Sequence, residues 1–331
     1  MTLRKESLAM GVDIGGTKIA AGLVDASGTI VQQVRTPMAA HGEASAGLAA
    51  VVAAIKKLGE KLGAGSSLWN ALRGIGLCSP GPVDPHTGVV INPPNLPCWR
   101  NYPLVAEVSR TFGLPVKLDN DGNAAALAEA RWGAGRGYRN VFYATIGTGI
   151  GTGIVFDGRI YHGRTGAAAE GGHVSIDYRG PQCGCGKPGC IEVLACGPAI
   201  ARRARAKLAA GQRSSLLDLA QGNAEAITPE MVGQAYTVGD AVARETLLET
   251  VDLLALWLGN MVDLLEPDVM VMGGGVAAML QPLFEEIRKR LPRYCINSRC
   301  GEIPLVMARY GADAGIAGGA ALCEAIATSA A

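Results

Sequence analysis

The sequence predicts an α/β protein built as two similar halves facing one another across a cleft. AMGVDIGGTKIAAGLVDASGTIVQQ near the N-terminus and VFYATIGTGIGTGIVFDGRIYHG from Val141 repeat one device: strand, glycine-rich turn, strand, second turn, strand. The copies stand about 130 residues apart, too far for a solenoid unit and right for a duplicated domain. With 331 residues, 49% of them apolar, the chain is long enough for two moderate cores.

In the first copy a Gly15-Gly16 turn joins two strands, and a second turn at Ala26 to Gly28 leads to the third. The alanine-rich run from 43 to 62 carries Leu48, Val51, Val52, Ile55 and Leu58 at helical spacing. GIGLCSPG reads as a buried strand ending in a turn, NPPNLPCW as a proline-rich loop, and Pro103 to Phe112 as a short helix. PVKLDN follows as a strand, then a second alanine-rich helix from Asn123 to Trp132. After the second copy come a long amphipathic helix near 240 to 265, a strand DVMVMG ending in Gly273-Gly274-Gly275, and a helix from Val276 to Arg290. A strand IPLVMAR and a last helix from Asp313 complete the chain. The domain boundary is expected near Asp119. Residues 1–118 with about 313–331 then form the N-terminal lobe, and 119–312 the C-terminal lobe carrying the loop 173–190.

A net charge of +1, with no basic run beyond pairs such as Lys56-Lys57 and Arg202-Arg203, argues against a nucleic-acid partner. The most apolar stretch, LLALWLGNMVDLL from Leu253, is interrupted by Gly259, Asn260 and Asp263, and no signal-peptide core precedes Gly11. No membrane association is expected. Of nine cysteines six (Cys78, Cys98, Cys196, Cys295, Cys300, Cys323) are scattered, unlike a disulfide framework. A cytoplasmic location fits this best.

Gly15, Gly16 and Thr17 let backbone approach a ligand closely and present N–H groups and a hydroxyl to phosphate oxygens, and Asp13 beside them suits a magnesium ion. Gly147, Thr148, Gly149, Ile150 and Gly151 offer the same chemistry from the second half. The alternative for each is a plain hairpin turn. Neither a Walker loop nor the dinucleotide fingerprint is present. Gly273, Gly274 and Gly275 either admit a purine or ribose or serve as an ordinary strand-to-helix turn. In LDNDGNAAALAEA, Asp121 or a neighbour is the natural helix cap; the functional alternative has Asp121 accept a proton from a substrate hydroxyl that Asn120 positions.

DIGGTK, PGPVD, NPPNLPCW, LDNDGNAAALAE, GTGIGTGI, EGGH and CGCGKPGCIE, in this order, resemble the ROK family of repressors, open reading frames and kinases, and within it the glucokinases. The resemblance spans almost the whole chain. It implies an actin-like ATPase fold of two duplicated ribonuclease H-like lobes, ATP with magnesium as phosphoryl donor, glucose or a related hexose as acceptor, and a homodimer or larger homo-oligomer. It makes Asp121 the general base on the sugar 6-hydroxyl, with Asn120, Glu170, His173, Glu192 and Asn95 contacting the sugar. Asp13 to Lys18 and Gly147 to Gly151 then hold phosphates, while Gly273 to Gly275 and the helix near Asp313 cover adenosine. Cys98 and Thr152 depart from the glycine frequent there in the family. The alternatives within the family are an N-acetylhexosamine kinase, a fructokinase or a sugar-responsive regulator. A regulator carries a helix-turn-helix domain ahead of the first strand, for which MTLRKESLA is too short.

In HVSIDYRGPQCGCGKPGCIE, the C-x-C spacing within a loop disfavours a redox pair. His173, Cys183, Cys185 and Cys190 match a Cys₃His zinc site with no open position, hence a structural metal. His41, His86 and His162 read as solvated or core-satisfied side chains.

Overall fold

The structure is a computed structural model describing residues 8–61 and 72–328, so the N-terminal heptapeptide and the last residues assigned to the first lobe lie outside the described residues. Its elements begin with the hairpin strands β1 (Leu8–Ile14), β2 (Lys18–Val24) and β3 (Ile30–Pro37), then α1 (Ala44–Lys61), β4 (Leu72–Ser79) and the two-residue strands β5 (Val83–Asp84) and β6 (Val89–Val90). α2 (Leu104–Phe112), β7 (Val116–Asn120) and α3 (Asp121–Trp132) follow. The second set opens with β8 (Asn140–Ile146), β9 (Ile150–Phe156) and β10 (Arg159–Ile160). Next come α4 (Ile191–Ala195), α5 (Gly197–Ala209), α6 (Leu216–Leu219), α7 (Pro229–Thr237) and α8 (Ala241–Leu265). The chain ends with β11 (Val269–Gly273), α9 (Gly274–Leu280), α10 (Phe284–Arg290), β12 (Leu305–Met307) and α11 (Ala314–Thr328).

The duplication read from the sequence is visible in the sheets, ordered β3-β2-β1-β4-β7 and β10-β9-β8-β11-β12. In each, a hairpin-built edge is extended by two parallel strands, β4 and β7 in one and β11 and β12 in the other. The expected helix from Val276 to Arg290 is broken: residues Gln281–Leu283 form a 3₁₀ turn between α9 and α10. Pro282 supplies no backbone donor there, which ends the α-helical ladder.

Two compact units divide the chain. The first comprises Met1–Arg139, Gly153–Ala169 and Arg309–Ala331, and the second Asn140–Thr152 and Glu170–Ala308. The segments from Asp119 to Arg139 and from Gly153 to Ala169, both expected in the second lobe, therefore lie in the first unit. Packing explains the first of these, because Ala124, Leu127, Ala128 and Trp132 of α3 are buried with Ile316, Ala317, Ala320 and Ala321 of α11. Alternation along β1 directs Met10, Val12 and Ile14 into a core shared with Val51, Ile55 and Leu58 of α1, and Ala9 toward α11.

Small residues let α11 lie against this sheet. A Cβ on Gly11 would fall 1.8 Å from the Ile316 carbonyl oxygen, and one on Gly76 of β4 1.8 Å from that of Gly319. These neighbours are backbone and have no rotamer to yield. Gly76→Ala is expected to destabilise by about 3 kcal/mol, at the upper end of overpacking costs; urea unfolding checks this, and a midpoint within error of the parent would refute it.

In the second unit α8 is the central helix. Its Leu247, Val251, Leu254, Trp257 and Leu258 are buried, and Trp257 meets Phe142 of β8 edge-on at 5.7 Å. Among the described residues no helix is long and apolar enough to cross a membrane.

Candidate functional site

In the first unit the expected residues gather where the parallel strands end. Register sets Asp13 of β1 beside Cys78 of β4, and Cys78 beside Asp119 of β7, with Ser79 and Asn120 paired one step on. Ligands of open α/β sheets bind beyond such carboxyl ends. Burial, then the negative field of Asp13, Asp121 and Asp119, pushes the Cys78 thiol well up, so Cys78 is an inert member of a carboxylate-rich edge. Burial also pushes the Asp13 carboxyl up, partly opposed by Lys18 and Arg35. Arg35 pairs with Asp313 at 2.5 Å, just before α11.

The turn after β1 is closed by the Gly15 amide donating to the Lys18 carbonyl at 2.9 Å, leaving Thr17 and Lys18 exposed. A Cβ on Gly16 would sit 2.7 Å from the Asn95 carbonyl oxygen, so glycine there allows the proline-rich loop to reach the turn. Two stretches nearly 80 residues apart in the chain are thereby joined.

The cap of α3 is Asn120, the neighbour of Asp121, within the expectation that Asp121 or a residue beside it caps the helix. The Asn120 side chain accepts from the amides of Gly122 at 2.9 Å and Asn123 at 3.4 Å. An extended ψ of 145° at Asn120 makes the cap possible, and its amide nitrogen is left as the end that can donate to a hydroxyl. Asp121, the first helical residue, is exposed, and one of its oxygens accepts the Gly122 amide at 2.8 Å.

In the second unit His173, Cys183, Cys185 and Cys190 place their ligand atoms within 4.8 Å of one another. His173 Nδ1 lies 3.7 Å from Cys183 Sγ, and Cys185 Sγ lies 3.6 Å from Cys190 Sγ. A tetrahedral zinc with its usual bond lengths needs ligand separations of about 3.5 to 3.8 Å; these two pairs match it, and with the others inside 4.8 Å the donor set suits the ion after a small inward shift. The loop is shaped by backbone. Gly186 and Gly189 have φ of 92° and 61°, and a Cβ on Gly189 would fall 1.7 Å from the Asp177 carbonyl oxygen. The Lys187 amide beside Cys185 holds that thiol below the usual cysteine range, whereas burial pushes the neighbouring Cys190 thiol up to about 12.

Glu170 and Glu192 differ in setting. Glu170 is exposed at the head of the 3₁₀ turn Gly171–His173. Glu192, in the first turn of α4, is half-buried: its Oε2 accepts the Ile150 amide at 2.9 Å, and its Oε1 lies 3.8 Å from both His173 Nδ1 and Cys183 Sγ. One carboxylate thus links the ligand cluster to the glycine turn at 147 to 151, a bond sequence spacing does not reveal. That turn is further held by the Gly147 carbonyl, which accepts the Gly197 amide at 2.8 Å.

Two more residues escaped the sequence reading. Thr152 Oγ1 accepts the Gly171 amide at 2.8 Å, and Trp257 Nε1 donates to the Gly171 carbonyl at 3.0 Å. Both backbone groups of Gly171 are therefore fixed, orienting the turn that carries Glu170 and His173. The departure from glycine at 152 was the available signal for the first; the second had none. At the other glycine run, Gly274 has φ of 87° and a Cβ there would meet the Ile146 carbonyl oxygen at 2.3 Å, while Gly275 faces open space.

The ROK family model matches residues 9–326. A glucokinase of Thermotoga maritima is 34% identical over 316 residues, 95% of this chain and 96% of its own. An N-acetyl-D-glucosamine kinase of Pasteurella multocida is 29% identical, covering 94% of this chain and 98% of its own. Among solved structures, a ROK family glucokinase from Streptomyces griseus in complex with glucose and AMPPNP is 34% identical, with a TM-score of 0.80 over 96% of this chain and 100% of that one. With two sheets of matching order and a family match running nearly end to end, the chain has the actin-like ATPase fold and belongs to the ROK family.

Proposed function

We propose that this chain is an ATP-dependent glucokinase that transfers the γ-phosphate to the 6-hydroxyl of glucose. The observation that carries the reading is full-length likeness to ROK glucokinases, one of them solved with glucose and a nucleotide. Phosphoryl transfer passes through a loose transition state, so the protein's work is positioning and charge stabilisation. Asp121 removes the hydroxyl proton as it is transferred. Asn120, through its amide nitrogen, and Asn95, Glu170, His173 and Glu192 orient the sugar. Amides of Gly16, Thr148 and Gly149, with Thr17 and Lys18, hold phosphate oxygens, while the amides of Gly15 and Gly147 close the two turns on themselves, and Gly273 to Gly275 receive the adenosine.

Asp13 is suited to a magnesium ion carried by the nucleotide, since such ions need only one or two protein carboxylates. His173, Cys183, Cys185 and Cys190 would hold zinc. A zinc with four protein ligands supplies no Lewis-acid chemistry; it ties His173 and the residues leading to Glu192 into one rigid loop. The protein is further proposed to work in the cytoplasm as a homodimer or larger homo-oligomer.

A second reading, an N-acetylhexosamine kinase, is favoured by the Pasteurella multocida relative. Coupled assays across glucose, N-acetylglucosamine, N-acetylmannosamine and fructose separate the two. Glucose is expected to lead in kcat/KM by about tenfold or more, the scale on which a site built to pair with specific hydroxyls discriminates. An amino sugar ahead of glucose would replace the first reading by the second.

A further inference from the structure

We infer that His162 is a positioning residue for the proton-accepting segment, acting through the buried carboxylate of Asp119. The inference rests on the assignment of Asp121 as general base. Asp119 is 2% exposed, and both its oxygens are engaged. Oδ1 accepts the Asn120 amide at 2.8 Å and Asn123 Nδ2 at 3.0 Å; Oδ2 takes His162 Nε2 at 2.6 Å. Two of the three donors therefore belong to the residues bracketing Asp121, namely the cap of α3 and a residue of its first turn. The third comes from the segment after β10, distant in the chain. A buried carboxylate must be matched by donors, and one stripped of a donor draws on the groups that remain.

Those groups are the Asn120 amide and the Asn123 side chain. Without His162, Asp119 would be free to turn toward them, and the cap carrying Asp121 would turn with it. A misplacement of about 1 Å at a reacting group costs on the order of 100-fold in rate, while ground-state sugar contacts spread over several residues change little. His162 is itself accessible: its side chain is 25% exposed, and it lines a cleft of about 570 Å³ with His86, Lys117, Leu118 and Arg159. His86 meets it edge-on at 5.7 Å, steadying the ring. The bond calls for a proton on Nε2 of His162, donated to Asp119.

The test compares three substitutions. Gln at 162 can present its amide nitrogen near the position of Nε2, whereas Asn is too short and Ala has no donor. His162→Gln is expected to keep kcat within about threefold of the parent. His162→Asn and His162→Ala are expected to lose about 10- to 100-fold in kcat, with KM for glucose and for ATP within twofold and a melting temperature lowered by only a few degrees. Added imidazole, entering the open cleft, should restore part of the rate to His162→Ala. Parent-like kcat in His162→Asn would overturn the inference. So would a loss in which KM rises and melting temperature falls together and neither Gln nor imidazole restores the rate, the mark of a merely structural bond. Asp121→Asn, run in parallel, separates the two ideas: full turnover there removes the general base itself, whereas an inactive Asp121→Asn beside a parent-like His162→Asn removes only the role of the pair.

Discussion

Asp121→Asn is expected to bind glucose normally and to lose about 100- to 10,000-fold in kcat, the range general-base catalysis contributes. The substitution is close to silent for the fold. Asparagine keeps an oxygen that can accept the Gly122 amide, as the Asp121 carboxylate does at 2.8 Å, and the α3 cap belongs to Asn120. Only the favourable meeting of a negative side chain with the helix N-terminus is lost, about 0.3 to 1 kcal/mol at an exposed position. Binding and chemistry should therefore separate cleanly. Glucose titration, by calorimetry or tryptophan fluorescence, should give an affinity like that of the parent, and single-turnover transfer should be slow. Near-normal transfer would show that the proton leaves by another route. Weakened glucose binding with kcat retained would make Asp121 a sugar ligand and no base.

Loss of the proposed zinc ligands is expected to have the second largest effect. Cys185→Ser should abolish metal binding, measured as zinc per chain, and raise the glucose KM by about tenfold or more. A structural zinc contributes about 10 to 16 kcal/mol to the order of a small metal-bound peptide, whereas a single hydrogen bond adds about 1 kcal/mol. The loop between Asp177 and Gly189 should accordingly open to proteolysis. The contacts of Glu192 carry the defect beyond the sugar. Its carboxylate accepts the Ile150 amide at 2.9 Å and lies 3.8 Å from His173 and Cys183, so loosening the cluster also loosens the glycine turn. A smaller rise in ATP KM should accompany the larger one for glucose. Although Trp257 of α8 reaches the turn before His173, the helix is held by its own buried Leu247, Val251, Leu254 and Leu258, so far-ultraviolet circular dichroism should be preserved. Unchanged glucose affinity in verified metal-free protein would refute this role of the metal loop in holding the sugar.

Much of this was legible in the chain because it is local chemistry. The repeated strand and turn devices announced the duplicated sheets, since strand alternation and glycine turns are decided within a few residues. His173 and the three cysteines announced a ligand set for the same reason: all four lie within one short segment, and their meeting needs only a tight loop. Elements whose limits depend on neighbours were less legible. Pro282 interrupts a helix that periodicity alone would continue. The segment around Asp119 belongs with α11, nearly 200 residues later, because their alanine faces bury one another.

Residue types and their order thus sufficed for the fold class and the family, and for naming the acids, glycines and thiols proposed for the site. Tertiary structure alone decided which of these groups touch: Glu192 with the Ile150 amide, Thr152 and Trp257 with Gly171, His162 with Asp119. The physical reason is that a hydrogen bond of about 3 Å between residues 19 to 86 positions apart leaves no periodic trace in either segment. A histidine that the sequence leaves solvated or core-satisfied acquires its meaning only when folding brings a buried carboxylate to its ring.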